Sequence, residues 1–518
     1  MHLKRIVFSL LGFGLVFSCK TSETAMENTW PHGVNYEIFP LAFADGNNDG
    51  KGDLKGLTEK LDYVQELGVN GMWLMPIMPS PSYHKYNVSD YKNIHPDYGT
   101  LDDFTKMTEE AHKRGMHVII DLVLNHTATN HPWFESAIKD KGSPYRDYYV
   151  WADKDSIQDQ ISKKKITLDS DNIRQWHEVN GDSTGEHYYG FFSSHMPDLN
   201  FDNQKVRDEM VDVARFWIEE MKVDGFRFDA ARHIYPDDRA YDNHQFWIWY
   251  REQLLKIKPD IYMVGEVYST DRNEVSPYAK GLPALFNFDL GSSVISILNA
   301  GEDTVQLIDR YAEQIDFFKS SNPEFLDAPI LTNHDQNRIM SQLHDHPGRA
   351  KVAASILLTL PGTPYVYYGE ELGMRGTKPD EFIREPFPWG DEKFTTTWIT
   401  PKFNVKDSVA DAIAQSNESS SLLNHYKKII AYRNSSKPLT FGSVESLKNL
   451  PKTIIASKRS FDSDAIIIFH NISDQEVKLA LANGLELFRK LEFASDDYIS
   501  LKENELVLPA YATVILKQ

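Results

Sequence analysis

The chain holds one cysteine, Cys19, so no disulfide can staple it from within. It has no surplus of basic charge: 55 Lys and Arg stand against 75 Asp and Glu, for a net charge of −20. Phosphate backbones are bound by basic faces, so a nucleic-acid partner is excluded from the expectation. The same acidity works against electrostatic adhesion to anionic lipid. No apolar stretch is long enough to cross a bilayer as a helix, since Ile6 to Phe17 falls well short of the roughly 20 residues required. No internal repeat is visible, and no His/Cys spacing of the zinc type occurs. What is there is a long chain of 518 residues, 41% hydrophobic, with a mean hydropathy of −0.45. That describes a soluble globular protein with material for two or three domains and a large core.

The N-terminus reads as a targeting segment. Lys4 and Arg5 precede the apolar run, and Val16-Phe17-Ser18-Cys19 follows it. A small residue before a cysteine at this place resembles a bacterial lipoprotein cleavage site. The expectation is a signal peptide over 1–18, a lipid on Cys19, and a polar tether over 19–29. An ordinary signal peptide with an incidental cysteine is the alternative. Under the first reading the protein is exported and anchored at the periplasmic face or the cell surface. Cys19 would then be its only contact with the membrane.

From about residue 34 to 375, strand and helix patterns alternate. Eight apolar, β-branched and aromatic runs read as buried parallel strands: 34–40, 70–76, 117–125, 223–229, 260–267, 284–289, 329–334 and 363–368. Helical spacing fills the gaps. Leu54, Leu57, Leu61, Val64 and Leu67 recur at three- and four-residue steps before Gly68, and Thr100 with Asp103 makes a capping box. The pattern predicts a (β/α)8 barrel over 30–126 and 205–425, with an open doubly wound sheet as the alternative. Residues 127–204 interrupt the rhythm, and an insertion of that length usually serves function. Residues 430–518 lose the helical alternation and read as antiparallel strands.

Three of the strand-like runs close on a carboxylate: Asp229 in VDGFRFDAARH, Glu266 in DIYMVGEVY and Asp335 in PILTNHDQ. In a parallel barrel these lie at the C-terminal rim, where such folds build their sites. Converging carboxylates suit glycosidic bond cleavage, which needs one group to attack carbon and another to protonate the leaving oxygen. Arg227, two residues before Asp229, shares its side of the strand and would keep it ionised. A phosphate-gripping glycine loop, the mark of many other barrel enzymes, is missing near the last two strand candidates.

Together with DLVLNH at 121–126 and MPDLN at 196–200, the segments GFRFDAARH, GEVY and TNHD resemble, in order, the motifs of the alpha-amylase family of glycoside hydrolases. The resemblance implies that 127–204 is that family's domain B and 430–518 its C-terminal β-sandwich. It implies Asp229 as nucleophile, Glu266 as general acid and then base, and Asp335 as a binder of sugar hydroxyls. Their carboxyls are expected to sit roughly 5–5.5 Å apart for Asp229 and Glu266, the spacing of retaining enzymes. It further implies that Tyr86 stacks on the sugar at the cleavage point, and that His126 and His334 are neutral hydrogen-bond donors. Asp380 and Arg384 would grip the next sugar on the non-reducing side, and Arg232-His233 would contact the departing side. The family usually has glycine before the tyrosine, where this chain has Lys85.

Asp45-Gly-Asn47-Asn-Asp49-Gly-Lys51-Gly-Asp53 places oxygen ligands at alternate positions, like the first part of an EF-hand loop, though Gly56 stands where that loop has its bidentate glutamate. The resemblance implies a structural calcium held by Asp45, Asn47, Asp49, the Lys51 carbonyl and Asp53; a solvated turn is the alternative. A second calcium site near Asn125 stays open. Ala230 stands where similar α-1,6-glucosidases have valine, and MPDLN is intermediate between the QPDLN of those enzymes and the MPKLN of neopullulanases. The expected activity is retaining hydrolysis of α-1,4 bonds in starch or maltooligosaccharides by a monomer. The alternatives are an α-glucosidase or a neopullulanase- or cyclomaltodextrinase-like enzyme with α-1,6 or transglycosylase activity. More distant is a non-catalytic glycan-binding protein, which would need to have lost one of the three carboxylates.

Overall fold

The computed structural model describes residues 30–162, 175–182, 185–406 and 408–518. The expected signal peptide, Cys19 and the expected tether lie outside the described residues, as does the lysine run at 163–165. Eight parallel strands form one sheet: β1 (Asn35–Ile38), β2 (Gly71–Leu74), β3 (His117–Leu122), β4 (Gly225–Phe228), β5 (Tyr262–Gly265), β6 (Ala284–Asn287), β7 (Leu326–Pro329) and β8 (Tyr365–Tyr367). They pair in chain order, β8 pairs β1, and a single parallel bridge from Ile330 to Tyr365 joins the remaining edges. The result is a nearly closed barrel with helices outside it.

The seventh strand differs from the expectation of 329–334: it runs Leu326–Pro329 and ends where the apolar run was expected to begin. The polar Asp327 hides it. That carboxylate is buried between the barrel and helix Leu307–Ser321, and accepts from the Tyr311 hydroxyl at 2.8 Å and the Asn287 amide at 3.2 Å. Asp335 therefore sits on the loop beyond β7, whereas Asp229 and Glu266 directly follow β4 and β5.

The helix expected over 54–67 is two helices, Leu54–Glu59 and Leu61–Leu67. Lys60 breaks it at φ −103°, with its ammonium 3.6 Å above the Phe394 ring and 4.4 Å above Trp389. Leu57 and Leu61 both stay buried across the break, which is why the periodicity ran through it. The Thr100–Asp103 capping box forms on Leu101–Lys113, and Gly68 closes Leu61–Leu67 in the left-handed region.

Between β3 and β4, three short strands (Trp151–Ala152, Trp176–Glu178 and His187–Tyr189) make an insertion sheet. It packs on Phe134, whose ring meets Tyr149, Trp151 and Tyr188. At the other end, helices Leu422–Ser435 and Lys437–Phe441 continue past residue 430, so antiparallel strands begin only at Ser443. Sheets of five and three strands then share an apolar core that includes Ile467, Phe469, Leu479 and Leu506. Two fully buried arginines bind this part to the barrel. Arg433 donates to the carbonyls of Leu358, Leu360 and Gly362, and Arg459 to those of Thr359, Leu439 and Gly442. Both thereby satisfy carbonyls at the C-terminus of helix Pro347–Thr359.

Candidate active site

The site starts from a register. Arg227 on β4 is paired with Asp121 on β3, and period-two alternation turns both side chains into the barrel. The Arg227 guanidinium is fully buried. Its Nη1 donates to Asp121 Oδ2 at 2.9 Å and to Asp229 Oδ1 at 2.6 Å, and its Nη2 donates to Glu266 Oε2 at 2.6 Å. After β4 the chain turns sharply at Ala230, φ 48°, which lets the Ala231 N–H reach the Glu266 carbonyl at 3.0 Å. The turn sets Asp229 and Glu266 side by side.

One cation facing three carboxylates cannot hold all of them ionised. Burial, reinforced by Asp229 and Asp335 and opposed by Arg227, pushes Glu266 up to about 7. Burial, with Asp229 adding to it against Arg227, pushes Asp121 up to about 7. Exposure separates their roles: the side chains of Asp229 and Glu266 are 13% and 17% exposed and that of Asp121 is 0% exposed. Only the first two can meet a substrate.

Opposite them lies a second charged chain. His334 has Glu37 of β1 on Nδ1, while its Nε2 is 2.6 Å from the Tyr86 hydroxyl and 3.2 Å from Asp335 Oδ2. The Tyr86 hydroxyl donates onward to Asp121 at 3.0 Å, and its ring stacks on His334 at 5.4 Å. Burial alone would lower His334, but Asp335 and Glu37 outweigh it and raise it to about 10. Two carboxylates beside His334 thus favour its protonated ring, where the motif implies a neutral donor. Burial likewise resists ionisation of Asp335, yet His334, Arg384 and Arg227 hold its carboxyl well below the usual range. Arg384 donates to Asp335 at 2.8 Å and to Asp380 at 3.3 Å. Burial lowers His126 to about 4.

A cleft of about 940 Å³ gathers Tyr86, His126, Asp229, Arg232, His233, Glu266, Asp335, Asp380 and Arg384. Arg227 and His334 support it from beneath. The insertion contributes Phe191, which stacks on His233 at 4.1 Å, and Phe192, which is 46% exposed. Tyr268, two residues past Glu266, is 64% exposed on the same cleft. Sequence reasoning missed these three aromatics and Glu37. Glu37 did leave a signal, a carboxylate inside a strand expected to be buried on both faces.

None of the 45–53 residues lines the cleft. Asp45 accepts from the N–H groups of Asn48 at 2.6 Å and Gly50 at 2.7 Å, while Asp53 caps helix Leu54–Glu59 through Gly56 N at 2.7 Å. Both carboxylates are 3% exposed, and among the described residues neither has an ion-pair partner. Burial, with Asp45 adding to it, raises Asp53. Carboxylate and amide oxygens are the ligand types of a hard cation, and here they accept from the loop's own N–H groups. Among the described residues no three His, Cys, Asp or Glu side chains gather to hold a metal, so the Asn47 amide and the Lys51 carbonyl would have to complete a site.

A parallel barrel with paired carboxylates on one buried guanidinium at its C-terminal rim is the architecture of a glycoside hydrolase. The chain belongs to the alpha-amylase family. The family model for the alpha amylase catalytic domain matches residues 37–442, and that for the alpha-amylase SusG C-terminal domain matches residues 454–515. The chain is 40% identical over 501 residues to alpha-amylase 3 of Dictyoglomus thermophilum, covering 94% of this chain and 95% of the relative. To alpha-amylase SusG of Bacteroides thetaiotaomicron it is 28% identical, covering 96% and 93%. The solved alpha-amylase from H. orenii is similar at a TM-score of 0.84 and 41% identity, covering 94% of this chain and 99% of that one.

Proposed function

We propose that this enzyme hydrolyses α-1,4-glucosidic bonds of starch or maltooligosaccharides with retention of configuration. The observation that carries the reading is the shared guanidinium: Arg227 contacts Asp229 and Glu266 at 2.6 Å each, while Glu266 is pushed up to about 7. One carboxylate is thereby oriented for attack and its neighbour kept as an acid, the division of labour that a double displacement needs.

In the first step an Asp229 oxygen attacks the anomeric carbon. The bond from that carbon to the glycosidic oxygen breaks, and Glu266 gives its proton to the leaving oxygen. In the second step Glu266, now a carboxylate, takes a proton from water, the water oxygen bonds to the anomeric carbon, and Asp229 leaves. Arg227 orients Asp229 through its 2.6 Å hydrogen bond and stays out of the proton traffic. Asp335, anchored by Arg384 and His334, accepts from sugar hydroxyls. Tyr86 supplies a flat face at the same sugar, and His126 donates to it. Asp380 and Arg384 take the preceding sugar, while Arg232 and His233 face the departing chain.

Calcium is a structural ion in this reading, held by Asp45, Asn47, Asp49, Lys51 and Asp53, and it takes no part in the chemistry. Export and lipid anchoring through Cys19 rest on the N-terminal residues Lys4 to Cys19. Labelling with a lipid precursor should disappear in Cys19→Ser, and persistence of the label would remove the anchor.

The preference for α-1,4 bonds is tested by product analysis on amylose, pullulan, panose and isomaltose, with Glu266→Gln as the blank. Short maltooligosaccharides from amylose with isomaltose untouched are expected. Glucose released from isomaltose or panose would move the assignment to an α-glucosidase.

A further inference from the structure

Tyr86 is carried by a turn with an unusual residue in front of it. Lys85 has φ 64°, in the left-handed region that glycine adopts freely and a lysine does not. Nor does its side chain reach out to water, being only 4% exposed. The ammonium donates to the Ser82 carbonyl at 3.1 Å, lies 3.6 Å from Asp97 Oδ2, and sits 5.7 Å from the centre of the Tyr98 ring. Burial pushes Lys85 below its ordinary value while Asp97 opposes that shift. Asp97 is itself fixed from the other side, by the Lys51 ammonium at 2.6 Å.

Backbone strain and a buried ammonium thus coincide at the residue next to a cleft tyrosine. Neither is favourable by itself, and strain persists only where the surroundings over-determine it. Here they do. The Lys85 N–H donates to Ser82 Oγ at 3.2 Å, and the Tyr86 N–H to His84 Nδ1 at 3.1 Å. The hydroxyls of Ser80 and Ser82 both donate to Asn87 Oδ1, which closes the turn. Glycine would relieve the strain at residue 85 and would give up the side-chain anchor with it.

We propose that Lys85, clamped by Asp97 and the Ser82 carbonyl, is a positioning residue that keeps the Tyr86 hydroxyl between His334 and Asp121. It touches no substrate and acts only through Tyr86. The proposal rests on the role given to Tyr86 in the preceding section. A misplacement of about 1 Å can cost up to about 100-fold in rate, so loss of the clamp should appear mainly in kcat.

The test is a double-mutant cycle on the full-length enzyme with maltoheptaose. Lys85→Met and Asp97→Asn are each measured alone and combined with Tyr86→Ala, which removes both ring and hydroxyl, with Lys85→Arg as the conservative variant. Each single variant is expected to lower kcat about 10-fold or more with KM changed far less. Lys85→Arg should restore most of it. In the Tyr86→Ala background the same changes should cost less than about 2-fold. Equal losses in both backgrounds, or no loss in either, would overturn the proposal. Asp97→Asn gives the same reading from the other end of the clamp if Lys85→Met does not fold. If the wild-type enzyme leaves maltoheptaose intact, the proposed activity fails instead, and the two failures are distinct.

Discussion

Arg227 donates to Glu266 over 2.6 Å, yet Glu266 is pushed up to about 7. Burial and the neighbouring carboxylates outweigh the guanidinium, because Arg227 is already committed to Asp121 and Asp229. A carboxyl raised from its unfolded value of about 4.3 favours the protonated fold. Its contribution is fully present below that value and is lost as pH rises through about 7. Glu266→Gln, which stays neutral, should therefore melt above the wild type by a margin that widens from pH 4 to pH 8. Activity in kcat/KM should fall on the alkaline side of about 7. Melting curves with a constant margin would contradict the assignment of the acid.

Glu37→Gln tests the second charged chain. His334 is raised to about 10, so its ion pairs stabilise the fold fully below the unfolded value of about 6.5. That contribution is lost as pH rises through about 10. Breaking a buried pair from one side costs on the order of 3 kcal/mol. The variant should lose about that much at pH 7, and the loss should shrink toward pH 10. A pH-independent loss would mean that His334 is neutral.

Removing divalent cations with a chelator should lower the melting temperature of the wild type. Asp45→Asn should start lower and respond little to the chelator. A wild type whose melting and activity ignore the chelator would leave 45–53 as a plain turn.

Arg459→Met should lower stability without touching the chemistry. It leaves the carbonyls of Thr359, Leu439 and Gly442 without their donor inside the protein. Unsatisfied buried groups cost about 1–3 kcal/mol each, tempered by relaxation and water. A loss of roughly 2–4 kcal/mol in denaturant unfolding is expected, with kcat at 25 °C unchanged.

Much of this fold could be read from local pattern. Asp229 and Glu266 end apolar strands, and parallel strands put such residues on one rim. Thr100 and Asp103 cap a helix within four residues of chain, so nothing distant was needed. Where distant residues decide, the reading stopped. Glu37 meets His334 across 297 positions of sequence, and no local pattern reports that this histidine has a buried carboxylate beside it. The seventh strand was misplaced because Asp327 is paired beneath helix Leu307–Ser321 with Tyr311 and Asn287, contacts that turn a polar residue into a core one. Lys60 broke an apparently continuous helix for aromatic rings more than 300 residues away. Lys85 was legible only as a departure from glycine, until its backbone angle and buried ammonium could be seen together.

The central claim is that Asp229 carries the sugar between the two steps. It is tested by treating Glu266→Gln with α-maltosyl fluoride, whose leaving group needs no acid, and analysing the digested protein by mass spectrometry. With its base removed the variant should accumulate a maltosyl ester, and the added mass should fall on the peptide containing Asp229. In the wild type, the first sugar released should be the α-anomer by proton NMR. A β-anomer as the first product, with no adduct on Asp229, would contradict the account.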